Sequence, residues 1–386
     1  MRSLNNRNSR LLFYALSLLA LLRLGMAAGF LAGIPPVEHS GWQFHCGGGD
    51  QILYFNMAKS FAACRPIHEK YPIGFPLLLA PLVVLYNARV WQDLIKPVMV
   101  FHTGLALISI YLVGFIAHQV TRKTTVSILC ALVWTITPYL IYSFAGFFNA
   151  PWLRNTYVSY AMWFAMLSEP ATTFFLLLSI YCYFTSLEKE RRAWFAGLFA
   201  GLTISIRITS AIYVLVFAGG YALRRNYRAA VSFIAVLTIS LIPQFLYNLH
   251  FNHGLFTFGY TTVDATTQGR EVLFSLAFTR SFIEYLAYKH PLLFYPLLAC
   301  AVIAPVTLFY AFKAERFQWS ILTGLALIHI MCYSTWWAFI SDFIRYVLPI
   351  IPIVIIIAGG FIAGLSGQLR LWYRRKHSPQ HGTGKI

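Results

Sequence analysis

The stretch "AWFAGLFAGLTISIRITSAIYVLVFAGGYAL", residues 193–223, is almost continuously apolar and is broken by one polar island, "SIRITS". As a single helix it would run about 46 Å at 1.5 Å per residue, well beyond a hydrocarbon core of about 30 Å. Its flanks, "EKERR" at 188–192 and "RRNYR" at 224–228, are both basic. Basic loops collect on one side of a membrane, so the chain must cross an even number of times between them. The sequence therefore predicts a hairpin that turns near Arg207, with arms of about 14 residues that stop short of the far surface. Arg207 then sits in a recess below one face, where a charge is costly and by default functional. A single tilted helix with Arg207 in a structural ion pair is the alternative.

The rest of the chain reads in the same terms. Apolar residues make up 59% and charged residues 11%, against about 25% charge in a soluble domain. The expected class is an all-α polytopic membrane protein, a single transmembrane domain over 1–386. Spans are expected at 11–33, 97–118, 125–147, 170–187, 193–206, 209–223, 229–250, 290–312, 318–338 and 344–366. The first run is too long for a signal-peptide h-region. With the N-terminus inside, inner segments hold 18 of the 30 Lys and Arg, and nine of the 12 acids fall outside. The tail 367–386 is then basic and cytoplasmic, and 34–96 is the first extracytoplasmic loop. Residues 71–87, "YPIGFPLLLAPLVVLYN", carry three prolines and read as a helix in the outer interface. Counting them as an eleventh span would put "TRK" at 121–123 outside, against the charge bias. The net charge of +18 is spread over short loops. It is explained by that bias, so the expected partner is the bilayer and not nucleic acid.

Four places carry candidate chemistry. In "GGGDQILYFNMAKSFAACRP", 47–66, Asp50, Tyr54 and Ala58 fall on one helix face, and the glycines permit a tight turn and close approach to a ligand. Asp50 suits a plain N-cap equally well. Glu169, in "MLSEPATTFFLLLSIYCYF", opens a span next to Pro170, and it too can be a cap. In "STWWAFISDFIRYVLPIIPIVII", Trp336 and Trp337 fit an aromatic belt or a sugar-stacking platform, and Arg345 and Tyr346 open the last span. In "LYNLHFNHGLFTFGY", Tyr247 and Asn248 end a span and lead towards Tyr260. Cys46 and Cys64 share the first loop and form a disulfide if it faces an oxidising compartment. With His45 and His68 they also make a zinc reading, whose spacing matches no standard site. Cys130, Cys182, Cys300 and Cys332 lie in apolar segments as packing residues.

Taken in order, "GGGDQILYFNMA" with "YPIGFPLLLAPL", "SEPATTFFLLLSIYCYF", "SIRITSAIYVL", "YNLHFNHGLFTFGY" and "IRYVLPIIP" resemble the GT-C glycosyltransferases. The nearest branch is that of protein O-mannosyltransferases and the lipid A aminoarabinose transferase. The resemblance implies an active site in an extracytoplasmic cavity and a polyprenyl-phosphate-linked sugar donor. It matches Asp50 to the catalytic aspartate of the first loop and Glu169 to a second acid. It matches Arg207 and Arg345 to positions that face the donor phosphate. Two departures stand out. Gln51 follows the aspartate where O-mannosyltransferases have Glu, and the larger members carry a further C-terminal domain where this sequence has its basic tail.

The expected function is inverting transfer of a monosaccharide to an acceptor hydroxyl of a glycan, lipid or protein. Asp50 would act as base and the arginines would meet the leaving phosphate. Tyr54, Asn248, Tyr260, Trp337 and Tyr346 are expected around the substrates. Glu169 would orient the acceptor or bind a divalent ion. Two lone carboxylates make a poor metal cage, so no cofactor is required, although a divalent metal remains possible. The expected location is a prokaryotic plasma membrane, with the endoplasmic reticulum as alternative. The competing reading is a secondary transporter that uses the membrane-embedded Arg23 and Arg207. A non-catalytic assembly subunit and a glycan polymerase or ligase are further alternatives.

Overall fold

The structure is a computed structural model that describes residues 6–33, 50–69, 71–147, 166–257, 275–289, 305–306, 312–335 and 346–377. Twelve α-helices are found there: α1 (Asn6–Gly33), α2 (Asp50–Ala62), α3 (Gly74–Leu85), α4 (Ile95–Thr121), α5 (Thr124–Phe147), α6 (Glu169–Ser186), α7 (Ala193–Ile206), α8 (Tyr213–Leu223), α9 (Tyr227–Asn252), α10 (Leu276–Lys289), α11 (Arg316–Ser334) and α12 (Ile351–His377). No strand occurs among the described residues.

Among the described residues, five stretches are long and apolar enough to cross a bilayer: Asn8–Ala28, Trp91–Thr121, Tyr227–Asn252, Arg316–Ser334 and Leu348–Leu369. The chain is an integral membrane protein. Gly74–Leu85 and Ile208–Leu223 are shorter apolar helices, and α5 runs for 24 residues, Thr124–Phe147. Of the ten expected spans, 290–312 lies largely outside the described residues. Helix α6 is embedded in protein. Along α6, buried residues run from Glu169, Pro170 and Ala171 to Thr185 and Ser186, on every face, as expected of a helix surrounded by others.

That central helix separates two groups. On one side α4 packs on α6 and gathers α1, α5 and α12; on the other α7 packs on α6 and carries α9, which in turn meets α8, and α8 meets α11. The approach of α7 to α9 is close because Gly197 faces the backbone carbonyl of Phe233 and Gly201 faces Ser240. Small residues at four-residue spacing let helices come this near.

The hairpin expected at 193–223 is present as a helix, a break and a helix. Helix α7 stops at Ile206, Arg207 is extended (φ −146°, ψ 105°), and a 3₁₀ turn at Ile208–Ile212 leads into α8. The chain has reversed by the end of α8: Arg224–Arg228 line the same cleft as Leu187 and Glu190, which precede α7. The basic turns meet at this end. Arg122, between α4 and α5, pairs with Glu315 at 3.4 Å, and Arg224 lies over the Phe317 ring at 4.5 Å.

At the opposite end lie α2, α3 and the start of α6. Helix α3, at 12 residues, spans about 18 Å and is too short to cross. It rests on α2 and on the end of α7. The segment 251–289 reads from sequence as a polar loop, yet it contains α10, docked beside the end of α11 by Ser275 N–H to the Thr335 carbonyl (2.8 Å).

Candidate functional site

Glu169 is fully buried at the first turn of α6, behind Ser168 and beside Pro170. Across from it, the break after α7 points Arg207 back at this turn. Arg207 Nη1 donates to Glu169 Oε1 at 2.6 Å, and Arg207 Nε donates to the Tyr333 hydroxyl at 2.6 Å. The Tyr333 hydroxyl also shares a hydrogen bond with Thr209 Oγ1. The guanidinium lies over two rings, 4.9 Å from the centre of Tyr346 and 5.6 Å from that of Tyr333. These rings stack on each other at 5.3 Å. Behind them His329 is buried between Tyr213 and the Tyr346 carbonyl. A carbonyl only accepts, so His329 Nε2 carries the proton and Tyr213 donates to Nδ1. Arg207 is thus held by α6, α11 and the start of the last helical segment together.

Asp50 is the first residue of α2 and is partly exposed. The Tyr71 hydroxyl donates to its Oδ1 at 2.5 Å. Buried residues Gln51, Tyr54, Phe55 and Ala58 make one stripe on α2, at the i, i+3, i+4, i+7 spacing of an amphipathic helix. Through that stripe α2 is fastened to the entry of α6. Gln51 Oε1 accepts from the Met166 N–H at 3.0 Å, and the Tyr54 hydroxyl donates to Ser168 Oγ at 3.3 Å. Asp50 and Glu169, distant in sequence, are therefore linked through their immediate neighbours. Tyr54 is buried between Tyr71 and Phe75, with ring centres at 4.6 and 5.0 Å.

Asn248 is buried. Its Nδ2 donates to the Leu255 carbonyl at 2.9 Å and its Oδ1 accepts from Gln244 at 2.8 Å. Gln244 in turn receives the Ile73 N–H at 2.9 Å, which fixes the chain entering α3. Arg23, the other intramembrane arginine, is buried and donates to the Thr135 carbonyl of α5 at 2.7 Å. Tyr260, Trp336, Trp337 and Arg345 lie outside the described residues, as do His45 and Cys46, so the expected disulfide and zinc groupings fall there too. Cys64 is exposed. His68 stacks on Phe251 and bonds Asn252 at 3.0 Å. Among the described residues no three His, Cys, Asp or Glu side chains gather as a metal ion needs. Tyr71, Thr209 and Tyr333 join the site without being singled out by sequence. Tyr71 begins the Pro-rich stretch already read as an interfacial helix, which was the one available signal.

The fold has counterparts among solved structures. ArnT from Cupriavidus metallidurans, solved bound to undecaprenyl phosphate, superimposes with a TM-score of 0.56 over 91% of this chain and 62% of that one, at 14% identity. This is the fold that the GT-C resemblance implies. The oligosaccharyltransferase of Archaeoglobus fulgidus, in its apo form, superimposes with a TM-score of 0.50 over 95% of this chain and 52% of that one, at 11% identity. The chain thus spans about three fifths of the first structure and half of the second. At such identities the likeness reaches no further than the fold. No protein-family model and no curated protein sequence matches the chain.

Proposed function

We propose that this protein is an inverting glycosyltransferase that moves a monosaccharide from a polyprenyl-phosphate donor to an acceptor hydroxyl on the extracytoplasmic face. The observation that carries the reading is the buried Glu169–Arg207 pair at the break after α7, tied through Met166 and Ser168 to the helix that opens with Asp50. A fold shared with an undecaprenyl-phosphate-bound transferase supports the donor class.

In this reading Asp50 takes the proton of the acceptor hydroxyl as its oxygen attacks the anomeric carbon. The bond from that carbon to the phosphate oxygen breaks, and the lipid phosphate leaves with the electron pair. Attack opposite the phosphate inverts the sugar. Arg207, joined by Arg345, stabilises the charge that grows on the leaving phosphate; a guanidinium fork suits phosphate oxygens. Glu169 takes a different part from orienting an acceptor: buried and bonded to Arg207, it positions that side chain. The reading needs no divalent ion. The basic end, with Arg122, Arg224 and Arg316, faces the cytoplasm by the charge bias, which puts the Asp50 end outside.

The test is a transfer assay in reconstituted membrane with a panel of polyprenyl-phosphate monosaccharides. One donor should be consumed, with release of polyprenyl phosphate and an inverted linkage in the product. Failure of every donor, together with ion-driven solute uptake, would replace this reading by the transporter.

A further inference from the structure

At the end of the molecule opposite Asp50, the turn between α6 and α7 and the turn between α8 and α9 enclose a cleft of about 690 Å³. Its lining is Leu187, Glu190, Arg224, Arg225, Tyr227 and Arg228, with Asn226 between them. Three guanidiniums against one carboxylate leave the cleft strongly positive. Among the described residues none of the three arginines forms an ion pair; Arg224 is steadied by the Phe317 ring. Helix α9 begins here, with Asn226 Oδ1 accepting from the Ala229 N–H at 3.1 Å. The positive end of its dipole adds to the arginines. Arg225 is held in the left-handed region (φ 55°).

We infer that this cleft binds the phosphate of an anionic phospholipid headgroup from the adjacent leaflet. The surroundings favour a lipid over a free anion. Leu223 (82% exposed), directly before Arg224, and Val231 (68%), three residues after Arg228, present exposed apolar surface, where acyl chains would lie. Tyr227, 63% exposed, lines the cleft among the arginines, and Trp194 opens the neighbouring helix. Tyr and Trp mark the level where a membrane passes from hydrocarbon to headgroup, and basic pockets between helices at that level take anionic headgroups. The charge bias alone explains basic loops. It does not explain three arginines lining one cleft beside exposed leucine and valine.

The experiment uses the purified full chain in detergent and measures binding of fluorescent phosphatidylglycerol and phosphatidylcholine, with inorganic phosphate as competitor. Phosphatidylglycerol should bind in preference, and millimolar phosphate should not displace it. Arg225→Gln with Arg228→Gln should weaken that binding by about thirty-fold, from about fivefold per arginine at a membrane surface. The charge-matched control, Arg191→Gln with Arg192→Gln, removes two arginines outside the cleft lining and should leave binding near wild type. Glu190→Gln should tighten it, a gain that misfolding cannot imitate. Equal losses in the two double variants, or equal binding of the two lipids, would overturn the site. Displacement by inorganic phosphate would assign the cleft to a free anion and overturn the lipid.

Discussion

Arg207 is a charge whose neighbours come from distant parts of the chain, and its energetics can be separated from its chemistry. Removing one member of a buried ion pair strands the other, at a cost of about 3–5 kcal/mol. Arg207→Ala should therefore lower the melting temperature and weaken donor use, seen as a higher KM for the lipid-linked sugar. Adding Glu169→Gln to it should recover stability, because the stranded charge is gone, while transfer stays lost. Arg207→Lys should recover donor use only in part, since it keeps charge but loses the planar fork. Normal donor dependence in Arg207→Ala would remove it from the phosphate. Asp50→Asn should keep expression and donor binding while transfer falls by about 10²–10⁴, as for loss of a general base; near-normal turnover of the purified variant would remove Asp50 from that role. The position of Arg207 was legible because length and flanking charge locate the midpoint of the hairpin. Its partner Tyr333 was not, since it sits in an apolar run where a tyrosine reads as packing; nor was the bond from Tyr71 to Asp50. Glu169 reads equally as a cap until the fold sets it against Arg207.

At the scale of elements, the site depends on how closely α3 approaches the end of α7. A methyl group on Gly74 would meet the Ser205 and Ile206 backbone at 2.4–2.6 Å, just before the break. Backbone cannot step aside as a flexible side chain does, and overpacking of this kind costs about 1–3 kcal/mol. Gly74→Ala should therefore lower both melting temperature and transfer, because the displaced segment carries Arg207. Gly104→Ala, where nothing lies within 4 Å, should do neither. Equal behaviour of the two would mean that α3 does not fix the break. The helical character of 71–87 was readable from its apolar run and its prolines. The role of Gly74 was not, because a glycine in close contact and one facing open space look alike in sequence. The helix at 276–289 was missed for a related reason. Its mixed composition reads as loop, and the end of α11 supplies contacts that sequence does not show.

For the whole molecule, the described basic turns gather at one end, and their charge was legible in the sequence. The sidedness proposed from it can be checked chemically. Cys64 is exposed near the Asp50 end, while Cys130 is buried and Cys182 and Cys332 are half-buried. With Cys46 and Cys300 replaced by serine, a membrane-impermeant maleimide should label Cys64 from the outer face of intact cells; labelling only after the membrane is opened would invert the topology. The short arms at the break have one more consequence, which belongs to the bilayer. Helix α7, at 14 residues, is about 21 Å long beside a hydrocarbon layer of about 30 Å, and α8 turns Leu215 outward. Lipid next to such a short apolar surface is expected to thin towards it. On the proposed function, a bilayer thinned at this point would bring a lipid phosphate nearer the Arg207 guanidinium. Transfer should fall as the acyl chains of the host bilayer are lengthened, with the sugar and acceptor unchanged.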